Sequence, residues 1–408
     1  MKQSDNSGVP NIISSHGFFC MYIHTNTVLH QLLGFLPKDS FQRFVGQHDT
    51  DRYTKSLTSW NQLVVLLYAQ ATGKESLREI ETGLSLHNGT WHHLGVNTVK
   101  RSTLSYANNH RDYRIFEKLF YTLAERCKEV TPTRSFTFSN PLYALDATVI
   151  KLCLSLFDWA HYTKTKGALK LHTLLDVRTD IPEVIVSSDG KVGDMTAGRE
   201  MQLWEKLEKG SIVVFDRAYI DFAWWQKLHE QGLFFVSRTK SNQSFVVVGQ
   251  HASPAGRVLA DEYVVRGEGN ISPAYPERLR RVRIAKEDAV YEYVTNNTRL
   301  SALQIGEIYI ARWHVELFFK WIKQNLTIKA FLGTSENAVL SQVWIAMIYY
   351  LLLAYIKFQT KFGKSLLELT RMVKETLLVR RALIDMLSLS PQSIGRFRPP
   401  DTDQLVLF

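Results

Sequence analysis

The chain has 408 residues, of which 45% are hydrophobic and 22% are charged. This composition is that of a globular protein and excludes a disordered chain, a collagen and a coiled coil, and the length is enough for about two to four domains. Lysine and arginine outnumber aspartate and glutamate by 49 to 39, which makes the net charge +10. A basic chain favours a polyanionic partner such as nucleic acid, although charge that serves only solubility would look the same.

Cysteine use and hydropathy indicate the compartment. The three cysteines, Cys20, Cys127 and Cys153, form no pair with the spacing of a zinc site, and so few cysteines are typical of a reducing compartment. The longest apolar stretch, residues 343–356, is shorter than the roughly 20 residues that span a bilayer. It is therefore predicted to be a buried helix. Because the N-terminus also lacks an apolar signal segment, we expect a cytoplasmic protein without a membrane segment.

The first part of the chain is predicted to be helical. Residues 1–26 are polar and without periodicity, so we expect a disordered leader there. Helices are predicted over residues 57–71, 77–87, 99–109 and 113–129, and the second of them opens with a capping box at Ser76 and Glu79. Basic residues flank the last two helices, as in a helix-turn-helix: Lys100, Arg101, Arg111 and Arg114. The pattern predicts a helical DNA-binding domain over residues 27–130.

After a linker rich in threonine, proline and serine, the pattern becomes β-rich. Strands are predicted at residues 142–152, 169–176, 182–189, 211–216 and 233–239. Helical patterns at residues 196–210 and 219–232 separate the last three of these strands. This alternation predicts an α/β layer architecture over residues 140–240.

The next segment is predicted to be a β-rich insertion over residues 241–298, with strand-like runs at 245–250, 280–285 and 291–297. Its cations suit a track for phosphates, although a soluble edge strand uses the same charges. These cations are Arg266, Arg278, Arg280, Arg281, Arg283 and Lys286. Helices resume over residues 299–390, and residues 391–408 form a tail.

Two aspartates stand out in the β-rich part. Asp146 lies within the apolar strand LYALDATVI, where a carboxylate is costly unless a cation or hydrogen-bond donors meet it. Asp216 ends the apolar strand SIVVFD, and ligands bind at such strand ends in α/β sheets. Taken singly, Asp146 could be a solvent-facing strand residue and Asp216 a helix N-cap. Together, on two strands of one sheet, they could face a shared divalent cation.

A third carboxylate lies on a helix predicted over residues 301–325, which opens with a capping box at Ser301 and Gln304. At about 100° per residue, one polar stripe contains Tyr309, Arg312, Glu316, Lys320 and Lys323. The apolar arc contains Ile310, Val315, Leu317, Phe318, Trp321 and Ile322. A single carboxylate flanked by cations in so apolar a helix favours a functional site, whereas a solvated face with ordinary ion pairs is the alternative.

The spacing Y-(2)-R-(3)-E-(6)-K formed by Tyr309, Arg312, Glu316 and Lys323 resembles the signature of the DDE transposases of insertion sequence family four. The segments around Asp146 and Asp216 are similar to those that carry the family's two aspartates. The resemblance extends over residues 27 to about 390. It implies an α/β fold with an RNase H-like catalytic core and a β-rich insertion, preceded by an α-helical N-terminal domain.

The resemblance also implies a chemistry. Asp146, Asp216 and Glu316 would be the catalytic residues and would hold two Mg²⁺ ions, with Mn²⁺ as a substitute. Tyr309, Arg312, Lys320 and Lys323 would contact DNA. The expected activity is metal-dependent cleavage of insertion-sequence ends and strand transfer into target double-stranded DNA. The expected partner state is a homodimer on paired ends, acting in the bacterial cytoplasm at the nucleoid.

One departure from the family and two alternatives remain. The family often holds a flipped base with a tryptophan of the insertion, and residues 233–300 contain none, so that Tyr263, Tyr291 or Trp225 would have to serve. A domesticated or inactive transposase could bind DNA without cutting it, although the presence of all three carboxylates argues against this. A metal nuclease without strand transfer is the third possibility.

Overall fold

The computed structural model describes residues 26–91, 94–96, 99–153, 155–157, 159–163, 166–239, 243–267, 275, 278–287, 289–325 and 331–387. The predicted leader and tail therefore lie outside the described residues, apart from residue 26.

The N-terminal part is helical, as predicted. Its helices are α1 Val28–Leu33, α2 Lys38–Gln47, α3 Ser59–Thr72, α4 Leu77–Leu86, α5 Asn88–Trp91, α6 Arg101–His110 and α7 Arg114–Val130. The side chain of Ser76 accepts from the backbone N–H of Glu79 at 3.2 Å, which confirms the predicted start of α4. Gly73 ends α3 in the left-handed conformation, with φ of 71°, which glycine adopts at little cost.

The C-terminal part contains the central helix of the molecule. Its helices are α11 Ala302–Ala311, α12 Trp313–Asn325, α13 Glu336–Gln359, α14 Leu366–Thr376 and α15 Leu383–Met386. Helix α13 is apolar on all sides, and it packs against α3, α6, α7 and α14. Although α13 is long and apolar enough to cross a membrane, it is buried in the protein core, in agreement with the predicted buried helix.

The N-terminal helices share their hydrophobic core with the C-terminal helices. The backbone N–H groups of Val28 and Leu29 donate to the carbonyls of Val379 and Leu377, at 3.1 and 2.8 Å. The amide of Asn337 at the start of α13 donates to the carbonyl of Asn108 at 2.8 Å. Cutting the chain after residue 130 would expose this shared core. The DNA-binding role of residues 27–130 stays a prediction, and its test needs the full chain.

Arg111, one of the arginines predicted to contact DNA, is held inside the protein by its own hydrogen bonds. The Arg111 side chain is largely buried and donates to Thr54 Oγ1 and Gln62 Oε1, both at 3.2 Å, and to the carbonyl of Leu57. The interpretation of Arg111 as part of a helix-turn-helix surface is therefore wrong. Its basic charge instead ties the end of α6 to the loop before α3.

The central sheet has the strand order of the predicted RNase H-like core. Its first strands are β1 Leu142–Leu152, β2 His161–Thr163, β3 Lys166–Asp176, β4 Ile181–Asp189, β5 Ile212–Phe215 and β6 Phe234–Arg238. They are ordered β4-β3-β1-β5-β6, and β1, β5 and β6 run parallel to one another. Strand β3 runs antiparallel to both of its neighbours, β1 and β4. The short strand β2 pairs with the beginning of β3. The mixed α/β fold is thereby confirmed.

Two helical segments of the core differ from their predictions. The predicted helix over residues 196–210 is split into α8 Asp194–Glu200 and α9 Leu203–Lys206, because Gln202 has a positive φ of 46°. The predicted helix over residues 219–232 is α10 Phe222–Glu230, preceded by a short 3-10 turn. Asp221 caps α10 by accepting from the N–H of Trp224 at 2.8 Å, which places the start of the helix after residue 219.

The insertion extends the core sheet instead of forming a separate one. Its strands are β7 Phe245–Gln250, β8 Val258–Arg266, β9 Leu279–Lys286 and β10 Ala289–Thr295. Strand β10 pairs antiparallel with β6, and β9, β8 and β7 follow outward. Strand β8 escaped prediction because Asp261 and Glu262 interrupt its apolar pattern. Both carboxylates meet arginines of β9.

Those same contacts remove two of the six cations, Arg280 and Arg281, from the predicted phosphate track. Arg280 is 1% exposed and forms two hydrogen bonds, at 2.7 and 2.8 Å, with Asp261, which is 2% exposed. Arg281 pairs with Glu262 at 2.6 Å. Arg280 therefore cannot reach a phosphate, and the charge of Arg281 is neutralised within the sheet. The neighbouring strand β8 supplies carboxylates that a count of charges along β9 alone does not include.

A buried histidine lies on β3 beside the core strands. His172 is buried, with Nε2 3.0 Å from Ser188 Oγ and Nδ1 3.8 Å from Asp194 Oδ1. Burial lowers the pKa of His172 to about 4, against an ordinary value near 6.5. As the pH falls from about 6.5 to about 4, His172 becomes protonated in the unfolded chain but stays neutral in the folded chain. The folded state therefore loses stability.

We expect His172→Gln to flatten the pH dependence of stability. Between pH 7.5 and pH 5 the buried imidazole should cost the wild type about 2 kcal/mol, and the glutamine variant should be spared this loss. Urea unfolding at the two pH values measures the difference. His110→Gln, at an exposed position on α6, is the control. An equal loss in wild type and His172→Gln would show that His172 does not resist protonation.

Candidate catalytic site

The two aspartates lie side by side on adjacent parallel strands. Leu145 is in register with Phe215, so the next residues along β1 and β5 are Asp146 and Asp216. The Asp146 carboxylate accepts from the N–H of Ala147 at 2.8 Å. The Asp216 carboxylate accepts from the N–H of Ala218 at 2.7 Å and caps the 3-10 turn that follows β5. Asp216 is thus an N-cap as well, and this does not remove it from the site.

The helix that carries Glu316 is broken at Arg312, whereas one continuous helix was predicted. The predicted capping box of Ser301 and Gln304 opens α11. The backbone N–H of Arg312 donates to the carbonyl of Tyr309 at 3.2 Å, a bond that spans three residues instead of four. The break turns part of the predicted apolar arc outward: Val315, Phe318 and Ile322 are buried, but Ile310 and Leu317 are 57% and 45% exposed.

Arg312 connects the third carboxylate to the first. Its Nη1 donates to Asp146 Oδ2 at 3.0 Å, and its Nη2 donates to Glu316 Oε1 at 2.5 Å. Burial alone would lower the pKa of Arg312, but Tyr309, Asp146 and Glu316 outweigh burial and raise this pKa. The structure therefore places Asp146, Asp216, Arg312 and Glu316 close to one another, and their role as a site stays a prediction. It gives Arg312 carboxylate partners that the sequence analysis did not predict.

The surroundings of Asp146 shift its pKa. Burial raises its pKa to about 6, and the negative charges of Asp216 and Glu316 act in the same direction, against the hydrogen bond from Ala147 and the charge of Arg312. A carboxyl group with a raised pKa is one that a further cation would stabilise in its ionised form.

Tyrosines and a second arginine border the site. The Arg312 guanidinium lies 5.7 Å from the ring centre of Tyr309, whose ring packs 5.0 Å from that of Tyr293. Arg238 lies 5.1 Å from the ring centre of Tyr291. Sequence analysis missed Arg238, although it follows Ser237, which is in register with Phe215, and so ends β6 next to Asp216. A search of all parallel strand ends would have found it.

The remaining predicted DNA contacts lie further along α12. Lys320 and Lys323 are exposed on its later turns. Burial and the nearby charge of Lys151, which lies on β1, lower the pKa of Lys323. Two lysines from different elements thus form a positive patch, and Lys151 is a member that the sequence did not indicate.

The aromatic residues offered for base stacking differ in accessibility. Trp225 is 1% exposed and packs against Phe235, so it cannot serve. Tyr263 and Tyr291 are half-buried. The guanidinium of Arg278 lies over the ring of Tyr263, and that of Arg238 lies over the ring of Tyr291. Trp313, which the sequence analysis passed over, is 57% exposed directly beside Arg312.

The donor chemistry fits divalent cations. Carboxylate oxygens are the ligands of Mg²⁺ and Mn²⁺, and Asp146 and Asp216 come from neighbouring strands. Among the described residues no three histidine, cysteine or acidic side chains converge closely enough to hold one ion as they stand. Because Arg312 bridges Asp146 and Glu316, convergence of all three carboxylates would require its guanidinium to move.

Comparison with known proteins identifies the family. Residues 137–352 match the transposase DDE domain, and residues 24–97 match a domain of unknown function, DUF4372. The chain is 31% identical over 301 residues to y4zB of Sinorhizobium fredii, whose name describes a transposase, with 72% of this chain and 82% of that protein covered. It is 29% identical to a Geobacillus stearothermophilus protein named as the transposase of insertion sequence element IS5377, with 65% and 70% covered.

Two further similarities are more distant. The chain is 25% identical to a Synechocystis protein named for insertion sequence element IS4SA, with 67% of this chain and 77% of that protein covered. A piggyBac transposase in a synaptic complex with hairpin DNA aligns with a TM-score of 0.46 and 10% identity, over 90% of this chain and 82% of that chain. The chain belongs to the DDE transposases of insertion sequences, as the spacing of Tyr309, Arg312, Glu316 and Lys323 predicted.

Proposed function

We propose that this transposase cleaves the ends of an insertion sequence and joins them to target DNA, with Asp146, Asp216 and Glu316 as its catalytic and metal-binding residues. The observation that carries the proposal is the placement of Asp146 beside Asp216 on adjacent strands, with Glu316 linked to Asp146 through Arg312. The predicted cofactor is Mg²⁺, bound as two ions, with Mn²⁺ as a substitute.

The residues of the chain divide the work. The three carboxylates would supply oxygen ligands that hold the ions beside the reacting phosphate. Two bound Mg²⁺ ions would activate the attacking water or 3′-hydroxyl and would stabilise the leaving oxygen. The half-buried position of Asp146 strengthens these charge interactions, because less water screens them. The same site serves cleavage and joining, since both are displacements at phosphorus.

The cations around the carboxylates are proposed to hold the DNA strand. Arg312, Lys320, Lys323 and Tyr309 lie along α11 and α12, and we add Arg238 because it ends the strand next to Asp216. Phosphate contacts of this kind position DNA without reading its sequence. Exposed Trp313 is our candidate for stacking against a base at the cleaved end.

Lys323→Ala should weaken DNA binding without affecting stability. Removal of one phosphate contact is expected to lower the slope of log affinity against log salt by about one. Electrophoretic mobility shifts at several salt concentrations measure this slope. Lys364→Ala, at an exposed lysine that pairs with Glu368, is the matched control. Equal slopes for the two variants would place Lys323 outside the DNA interface.

The experiment on the function itself uses the full chain and DNA that carries the inverted repeats flanking its gene. With Mg²⁺ we expect nicks at the repeat ends that leave 3′-hydroxyl groups, followed by joined products with target DNA. Binding without cleavage in Mg²⁺ and in Mn²⁺ would support the DNA-binding alternative, and cleavage without joining would support a nuclease. Size measurement of the complex with two ends tests the proposed homodimer. Detection of the tagged chain with the bacterial nucleoid tests the proposed cytoplasmic location.

A further inference from the structure

We propose that Arg312 makes metal loading of this site depend on DNA, because its guanidinium and a divalent ion compete for the carboxylates of Asp146 and Glu316. This inference rests on the proposed function, since it takes these carboxylates as the metal ligands. It assigns Arg312 control of metal binding: the site binds metal firmly only when a DNA phosphate has drawn the guanidinium away.

The first step is the contact itself. Arg312 bridges two carboxylates that come from different elements, Asp146 on β1 at 3.0 Å and Glu316 on α12 at 2.5 Å. Its side chain is only 15% exposed. Hydrogen bonds between charged groups are stronger than those between neutral ones, and low exposure reduces their screening. The guanidinium therefore holds one oxygen of each carboxylate.

The second step is the conflict with a cation. A metal ion shared by Asp146 and Glu316 would need the position between them that the guanidinium fills. The two positive charges would also repel each other across a few ångströms of poorly screened space. Metal binding must therefore break both contacts of Arg312. The free energy needed to break them lowers the affinity of the site for metal.

The third step is where the guanidinium goes. Its Nε is buried and has no hydrogen-bond partner among the described residues, so Arg312 leaves part of its bonding capacity unused. Arg312 also lies at the break between α11 and α12, beside the ring of Tyr309. A DNA phosphate at this edge would offer bidentate acceptors for the fork of the guanidinium. By linkage, DNA that engages Arg312 raises the affinity for metal, and metal raises the affinity for DNA.

The test is calorimetric titration of Mn²⁺ into the full chain without DNA. We expect Arg312→Gln to bind Mn²⁺ at least tenfold more tightly than the wild type. Arg312→Lys should fall between them, because an ammonium group keeps the charge but cannot bridge both carboxylates. Arg371→Gln removes the same charge from an exposed position on α14, and its affinity should stay within twofold of the wild type.

The outcomes separate the inference from the proposed function. Asp146→Asn is titrated alone and combined with Arg312→Gln. If it weakens Mn²⁺ binding while Arg312→Gln binds no tighter than the wild type, the competition is refuted and the metal site stands. If Asp146→Asn leaves the Mn²⁺ affinity unchanged, both alone and combined with Arg312→Gln, the proposed metal site itself is refuted. Thermal melts verify folding, and where Arg312→Gln does not fold, unchanged affinity in Arg312→Lys overturns the inference.

Discussion

Replacing Glu316 with glutamine is expected to abolish DNA cleavage and joining while DNA binding is retained. The substitution keeps the size of the side chain but removes the charge that a divalent ion needs, and the lost stabilisation of several kcal/mol corresponds to a rate decrease of about a thousandfold or more. Asp146→Asn and Asp216→Asn should do the same. A Mg²⁺-dependent cleavage assay on end-containing DNA measures the effect.

Glu307→Gln is the matched control on the preceding helix. Glu307 lies on α11 and accepts a hydrogen bond from Thr137 Oγ1 at 2.6 Å, away from the aspartates of β1 and β5. Cleavage by this variant should remain near the wild-type rate. A loss as large as that of Glu316→Gln, or full activity in Glu316→Gln, would contradict the assignment. Asp221 is a poorer control, because it caps α10 and pairs with Arg199.

Arg280→Ala is expected to destabilise the β-rich insertion by about 3–5 kcal/mol, because it leaves Asp261 buried without its partner. The guanidinium also donates to the carbonyls of Asn297 and Leu300, which would lose these bonds. Urea unfolding measures the loss. The comparison variant is Arg278→Ala, at an exposed position, for which we expect a change below about 1 kcal/mol.

The same two variants distinguish a structural arginine from a DNA-binding one. If Arg280 held phosphate, Arg280→Ala would weaken DNA binding in a salt-dependent way and leave stability unchanged. We expect the opposite result. Weaker DNA binding by Arg278→Ala, with stability unchanged, would keep part of the insertion in the DNA interface.

The sequence by itself predicted most of the strands and helices and singled out the three carboxylates of the candidate site. These are local properties: alternation and apolar runs predict strands such as β1 and β7 to the residue, and a capping box marks the start of α4 and α11. Asp146 and Asp216 could be picked out because a carboxylate in or directly after an apolar strand is unusual. The spacing of Tyr309, Arg312, Glu316 and Lys323 depends only on positions along the chain.

The tertiary structure alone decided which charges meet. Arg280 and Asp261 are 19 residues apart along the chain but form a buried pair, because β8 and β9 are neighbours in the sheet. Arg312 and Asp146 are 166 residues apart, and only the packing of α12 against β1 brings them into contact. A charge pattern along a segment cannot reveal a partner on another element. For that reason the sequence predicted Arg312 as a phosphate contact, while its place between two carboxylates emerged only from the fold.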